Sequence, residues 1–148
     1  MKNLNYKICE IIDRKPFRVF AVLLLILNLS GLGDANYLTL LAISGSLLSI
    51  FTSLALKMIF KTRRPEHNKY RIIKYGFPSG HAHVIFTIAT IYSYYLPYLT
   101  MPFFILASFV SASRIKIKAH GHVDLLGGIF LGIFTGLIVA VLAPRLMG

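Results

Sequence analysis

The chain has 148 residues, of which 56% are hydrophobic and only 14% charged, with a mean hydropathy of +0.70 and a formal net charge of +11. A soluble domain of this size needs more polar surface, and the apolar residues lie in long runs, so the composition excludes an ordinary soluble protein. A basic chain largely sunk in lipid has little surface for nucleic acid, which leaves anionic headgroups and phosphate as partners.

Residues 2–15 read as an amphipathic helix, with Leu4, Ile8, Ile11 and Ile12 on one face and Lys2, Lys7, Glu10, Asp13 and Arg14 on the other. Such a basic segment lies in the membrane interface, and Pro16 ends it. The start shows no secretory signal pattern, and the single cysteine, Cys9, offers no internal disulfide and reads as a small apolar contact. Five spanning segments are expected, at about 17–32, 37–60, 79–96, 98–113 and 123–143. Tyr92, Tyr94, Tyr95 and Tyr98 gather at one end of the third as an interfacial aromatic belt. Gly128, Gly132 and Gly136 recur every four residues in the fifth, a stripe suited to close helix packing inside the chain or, alternatively, to a homodimer seam. The expectation is an all-α integral membrane bundle of about five transmembrane helices with an N-terminal interfacial helix, forming one domain over residues 1–148.

Alternating crossings sort the polar residues by membrane face. Of the 16 Lys and Arg, 15 fall on the face that holds the N-terminal segment, the 61–78 loop and the 114–122 stretch; only Arg145 lies on the other. All five histidines, His67, His81, His83, His120 and His122, share the basic face.

Three groups on that face suggest chemistry. Lys57 lies inside an apolar run, where a charge is costly unless it snorkels or functions, and Arg64 follows seven residues later, before Pro65. Pro78-Ser79-Gly80-His81 opens a helix: Ser79 suits the N-cap, Gly80 permits close backbone approach, and free N–H groups there attract phosphate. His81 can exchange a proton beside that anion. Ser113-Arg114 precedes His120 and Asp124, whose i, i+4 spacing lets the carboxylate fix the imidazole tautomer if a helical turn joins them; alternatively Asp124 merely caps the last helix.

Together these residues resemble the type 2 phosphatidic acid phosphatase family. Its motifs Lys-x6-Arg-Pro, Pro-Ser-Gly-His and Ser-Arg-x5-His-x3-Asp appear in order over about residues 57–124. The resemblance implies that His120 attacks phosphorus and forms a phosphohistidine, that Asp124 orients it, and that His81 protonates the leaving oxygen. It further implies that Lys57, Arg64, Ser79, Gly80 and Arg114 bind the phosphoryl oxygens. Phosphoryl transfer needs positioning and stabilisation of spread negative charge, and with three cations around the group neither metal nor other cofactor is expected. The implied substrate is a lipid phosphate or diphosphate, of the undecaprenyl diphosphate, phosphatidylglycerophosphate or phosphatidate type. Membrane members often have six spanning helices, and five are read here; the short 61–78 loop suits an open site reached sideways from the bilayer.

Three alternatives compete. His120-Gly121-His122-Val123-Asp124 also reads His-x-His-x-Asp, which with His81 and His83 could hold a zinc ion in a metal-dependent hydrolase. A non-catalytic binder or carrier of anionic lipid would explain the charge but not the His120–Asp124 spacing. The soluble vanadium haloperoxidases share the family's pocket, but small size and long apolar helices oppose that reading. The positive-inside rule puts the basic face in the cytoplasm, whereas the resemblance favours a site facing outward from the cell membrane.

Overall fold

The structure, a computed structural model, describes residues 35–62, 75–116 and 118–147. The interfacial segment at 2–15, the span at 17–32 and Arg64 lie outside the described residues. Among the described residues four α-helices follow one another: α1 (Ala35–Phe60), α2 (Gly80–Tyr95), α3 (Thr100–Lys116) and α4 (His122–Met147), with a 3-10 turn, Pro97–Leu99, between α2 and α3. At ~1.5 Å per residue, α1 and α4 are each about 39 Å long and exceed a ~30 Å hydrocarbon layer. Among the described residues, Asn36–Phe60, Pro97–Lys116 and His122–Ala143 are long and apolar enough to cross a membrane.

Two boundaries differ from expectation. The stretch expected to begin at Tyr98 starts instead with the Pro97–Leu99 turn, and its α-helix runs on to Lys116, so that Arg114 is helical. Pro97 explains the break. It forces Leu96 out of the α region, to φ −126° and ψ 71°. Pro102, third in α3, falls where helical N–H groups have no intrahelical acceptor.

α2 is the hub and packs on α4, α1 and α3. Toward its C-terminal end, Leu38, Ala42, Phe86, Ile88, Ala89, Tyr92, Phe103 and Ala107 form an apolar core. The Phe86 and Phe104 rings meet edge to face at 5.7 Å. Elsewhere the burial pattern is inverted relative to a soluble protein. Phe51, Met101 and Phe130 are 68%, 71% and 72% exposed, while Ser49, His83 and Thr87 are wholly buried. Apolar side chains outside and polar ones inside are what a hydrocarbon solvent selects, and the protein is an integral membrane protein.

The glycine stripe is used within the chain. A Cβ on Gly128 would lie 2.5 Å from Ser79 O, one on Gly132 2.6 Å from His83 O, and one on Gly136 2.6 Å from Thr90 Cβ. These glycines bring α4 against the backbone of α2. Of the two uses expected for Gly128, Gly132 and Gly136, packing inside the chain or a homodimer seam, the structure shows the first: α2 occupies that face, and all three residues are buried.

The far end of α4 shows how the bundle satisfies a backbone group in lipid. Pro144 has no N–H to give the carbonyl of Ala140 one turn earlier. The Tyr95 hydroxyl from α2 donates to that carbonyl at 3.0 Å, and the Tyr37 hydroxyl lies 3.5 Å from the Tyr95 hydroxyl. Tyr95→Phe is expected to cost about 1–2 kcal/mol, because the buried carbonyl loses its donor. Thermal unfolding in detergent would read this as a lowered midpoint with catalysis unchanged.

Candidate active site

The end of α1, the start of α2, the end of α3 and the start of α4 meet at one end of the bundle. Two helix terminations explain how. α3 closes in a Schellman arrangement: the N–H of Lys118 donates to Ile115 O at 2.8 Å, and that of Ala119 to Arg114 O at 2.9 Å. Lys118 takes the left-handed conformation the motif needs, with φ 55°. The N–H of His120 also reaches Arg114 O, at 3.3 Å. The chain thus reverses over five residues and returns His120 beside the helix that carries Arg114, which gives the Ser-Arg-x5-His spacing a mechanical reason. Lys118→Gly should relieve a strain of about 1–2 kcal/mol, partly offset by glycine's greater backbone freedom when unfolded. Thermal unfolding should show a modest rise in midpoint with activity retained.

The start of α4 accounts for the rest of that motif. Gly121 takes the cap position and its N–H donates to Asp124 Oδ2 at 3.1 Å, the second half of a capping box. The same Oδ2 faces His120 Nδ1 at 3.5 Å. His120 precedes the helix, which begins at His122, so a capped turn joins the pair instead of a helical one. Asp124 thus caps the helix while its Oδ2 also lies near the His120 ring. Both residues are buried, His120 3% and Asp124 7% exposed.

The 75–79 segment lies against this corner and is held from several sides. Lys57 is buried, and its Nζ donates to Gly76 O at 3.1 Å and to Pro78 O. Gly76 N–H donates to Thr62 O at 2.9 Å, and Phe77 N–H to Thr62 Oγ1 at 2.8 Å. The Phe77 ring covers Gly127 and meets Phe60 edge to face at 5.1 Å. Gly76 itself has no room for a side chain, since a Cβ there would lie 2.6 Å from Asp124 Oδ2. The Phe77–Pro78 peptide is cis.

From this segment α2 begins. Ser79 stands at its cap position with extended backbone, but its hydroxyl makes no cap hydrogen bond. Its Oγ is fully buried with no partner among the described residues. The N–H of Ser79 donates to Asp124 O at 2.8 Å, which ties the start of α2 to the start of α4. Gly80 opens the helix, and His81 follows half-buried in its first turn. Arg114 is 1% exposed and is the largest of the fully buried side chains.

The structure therefore brings together Lys57, Ser79, Gly80, Arg114, His120 and Asp124, with His81 in the adjoining turn. Reading the sequence missed Gly76 and Thr62, and it named His83 only as a possible metal ligand on the basic face. The signal for His83 was present: Ser49, Ser53 and Lys57, and likewise Ser79, His83 and Thr87, repeat every four residues, so each set shares a helix face. Among the described residues no three His, Cys, Asp or Glu side chains gather as metal ligands, and His122 is exposed at the start of α4.

A family model described as the PAP2 superfamily matches residues 36–147. The chain belongs to that superfamily. As a PAP2 protein it is a membrane phosphatase acting on lipid phosphates. Its fold is similar to that of a transmembrane PAP2-type phosphatidylglycerolphosphate phosphatase from Bacillus subtilis, with a TM-score of 0.65 and 22% identity over 98% of this chain and 79% of that one. No match was found among curated proteins.

Proposed function

We propose that the protein, acting as a single membrane domain, hydrolyses a lipid phosphate or diphosphate through a phosphohistidine on His120, without a metal. The observation that carries this reading is the buried His120–Asp124 pair, with Nδ1 and Oδ2 3.5 Å apart, set against the N-terminus of α2. With Nδ1 turned to the carboxylate, Nε2 is the nitrogen that attacks phosphorus. Asp124 stabilises the positive charge that grows on the ring. The phosphoryl oxygens are taken by the first N–H groups of α2, the Ser79 hydroxyl and the guanidinium of Arg114, with Arg64 joining them. The cations supply the charge stabilisation that a metal gives in other phosphatases. His81 protonates the departing lipid oxygen, and water then releases phosphate from His120.

Lys57 has a double role in this scheme. Its ammonium favours the phosphoryl charge, and its bonds to Gly76 O and Pro78 O hold the turn whose N–H groups bind that charge.

The substrate class is a phosphorylated lipid whose tail stays in the bilayer. Because the structural neighbour is a phosphatidylglycerolphosphate phosphatase, a phosphatidylglycerophosphate-type monoester is the first substrate to test, with phosphatidate and undecaprenyl diphosphate beside it. The site faces outward from the cell membrane; labelling of single cysteines placed in the 61–78 loop by an impermeant reagent on intact cells checks that side. The function itself is tested by phosphate release from these three lipids and a water-soluble phosphate ester, with and without vanadate. The reading expects vanadate-sensitive release from at least one lipid and little from the soluble ester. Equal turnover of soluble ester and lipids would contradict it.

A further inference from the structure

Three helices carry a seam of buried polar side chains that the transfer chemistry does not use. On α1 it comprises Ser49 and Ser53, on α2 His83 and Thr87, and on α4 Thr135. Ser49 Oγ and Thr87 Oγ1 lie 2.7 Å apart, and Thr87 Oγ1 donates to His83 O at 2.9 Å. At the centre, His83 Nδ1 lies 2.8 Å from Ser53 Oγ and Nε2 lies 3.0 Å from Thr135 Oγ1. One imidazole thereby joins α1, α2 and α4. A neutral ring needs one donor and one acceptor, and a hydroxyl can be either. Away from water, a fully satisfied bridge is rigid and directional.

This bridge lies directly beneath the site. Ser53 is one turn before Lys57 on α1. A Cβ on Gly80 would stand 3.8 Å from Ser53 Oγ, so that hydroxyl underlies the first turn of α2. His83 is one turn beyond Ser79, and its N–H donates to Ser79 O at 2.9 Å. The three bridged helices are those that carry Lys57, the Ser79–His81 turn and Asp124.

We propose that His83 is a positioning residue for phosphoryl transfer: by bridging Ser53 and Thr135 it sets α1 and α4 about the N-terminus of α2 and holds Lys57 and the phosphate-binding turn in register with His120 and Asp124. The inference rests on the phosphatase reading above. His83 is wholly buried with both ring nitrogens engaged, so it acts through these neighbours. A leucine would fill much of its volume but give neither hydroxyl a partner, whereas a glutamine amide carries one donor end and one acceptor end.

The test compares the full chain in detergent micelles as wild type, His83→Leu, His83→Gln, Ser53→Ala and the double variant Ser53→Ala/His83→Leu. The readouts are kcat, KM, vanadate inhibition and thermal unfolding. Misplacement of reacting groups by ~1 Å costs about 100-fold in rate. At temperatures where it is folded, His83→Leu should lose about that factor in kcat with KM little changed, and vanadate should bind correspondingly more weakly. His83→Gln should recover most of the loss, and Ser53→Ala should add nothing in the leucine background. Wild-type kcat in folded His83→Leu, loss only in proportion to the unfolded fraction, or a glutamine variant as impaired as the leucine one would overturn the proposal while leaving the phosphatase reading intact. A wild-type protein that releases phosphate from no lipid would overturn that reading, and this inference with it.

Discussion

His120→Asn is expected to lower phosphate release by about 10⁴-fold or more, the scale on which enzymes lose rate when a covalent nucleophile is removed. Asparagine keeps polarity near the Asp124 carboxylate but offers no nitrogen able to attack phosphorus. Asp124 also receives the Gly121 N–H and its carbonyl receives the Ser79 N–H, and neither bond involves the imidazole. The fold should therefore survive, with a thermal midpoint close to that of the wild type. Lipid binding should survive too, because the phosphate-holding groups belong to other residues. Loss of rate without loss of binding separates this enzyme from a lipid carrier built on the same basic face.

Lys57→Met should cost about 10³-fold in kcat and also reduce stability. The rate effect combines loss of a cation near the developing phosphoryl charge with loss of the turn's geometry. The stability effect follows from burial. Gly76 and Pro78 are buried, and their carbonyls receive the ammonium; an apolar side chain in its place leaves both groups short of a donor at about 1–3 kcal/mol each. Kinetics and thermal unfolding on one preparation would check both parts. A variant that loses rate alone would show that the ammonium serves only the phosphate.

Much of the architecture is legible in the sequence because lipid imposes simple rules. Apolar runs near 37–60, 79–96 and 123–143 predict helices, and the structure places helices at Ala35–Phe60, Gly80–Tyr95 and His122–Met147, the first and last of them long and apolar enough to cross a membrane. The gathering of Lys57, Ser79, Arg114, His120 and Asp124 at one end follows from alternating crossings. Less legible is how each helix is rotated. Helices apolar nearly all round carry little amphipathic signal to say which side faces a neighbour, so the glycine stripe of α4 admitted both a dimer seam and its actual packing on α2. Local hydrogen-bond competition was hidden as well. Ser79 has the residue type and position of a cap, yet its hydroxyl does not cap, and its N–H goes to Asp124 O. The bridging place of His83 was hidden because nothing local marks a link between Ser53, thirty residues before it, and Thr135, fifty-two after. The sharp turn between Arg114 and His120 depends on Lys118 at φ 55°, a conformation seldom assigned to lysine from sequence.

The central claim is that His120 carries the phosphoryl group. It is tested most directly by mixing the purified protein with a phosphorylated lipid substrate, quenching at alkaline pH within the first turnovers, and locating bound phosphate by peptide mass spectrometry. An acid-labile, alkali-stable phosphoryl group is expected on the peptide that contains His120, formed by the wild type and absent from His120→Asn. Steady release of phosphate by His120→Asn at the wild-type rate, or a phosphoryl group on a different residue, would contradict it.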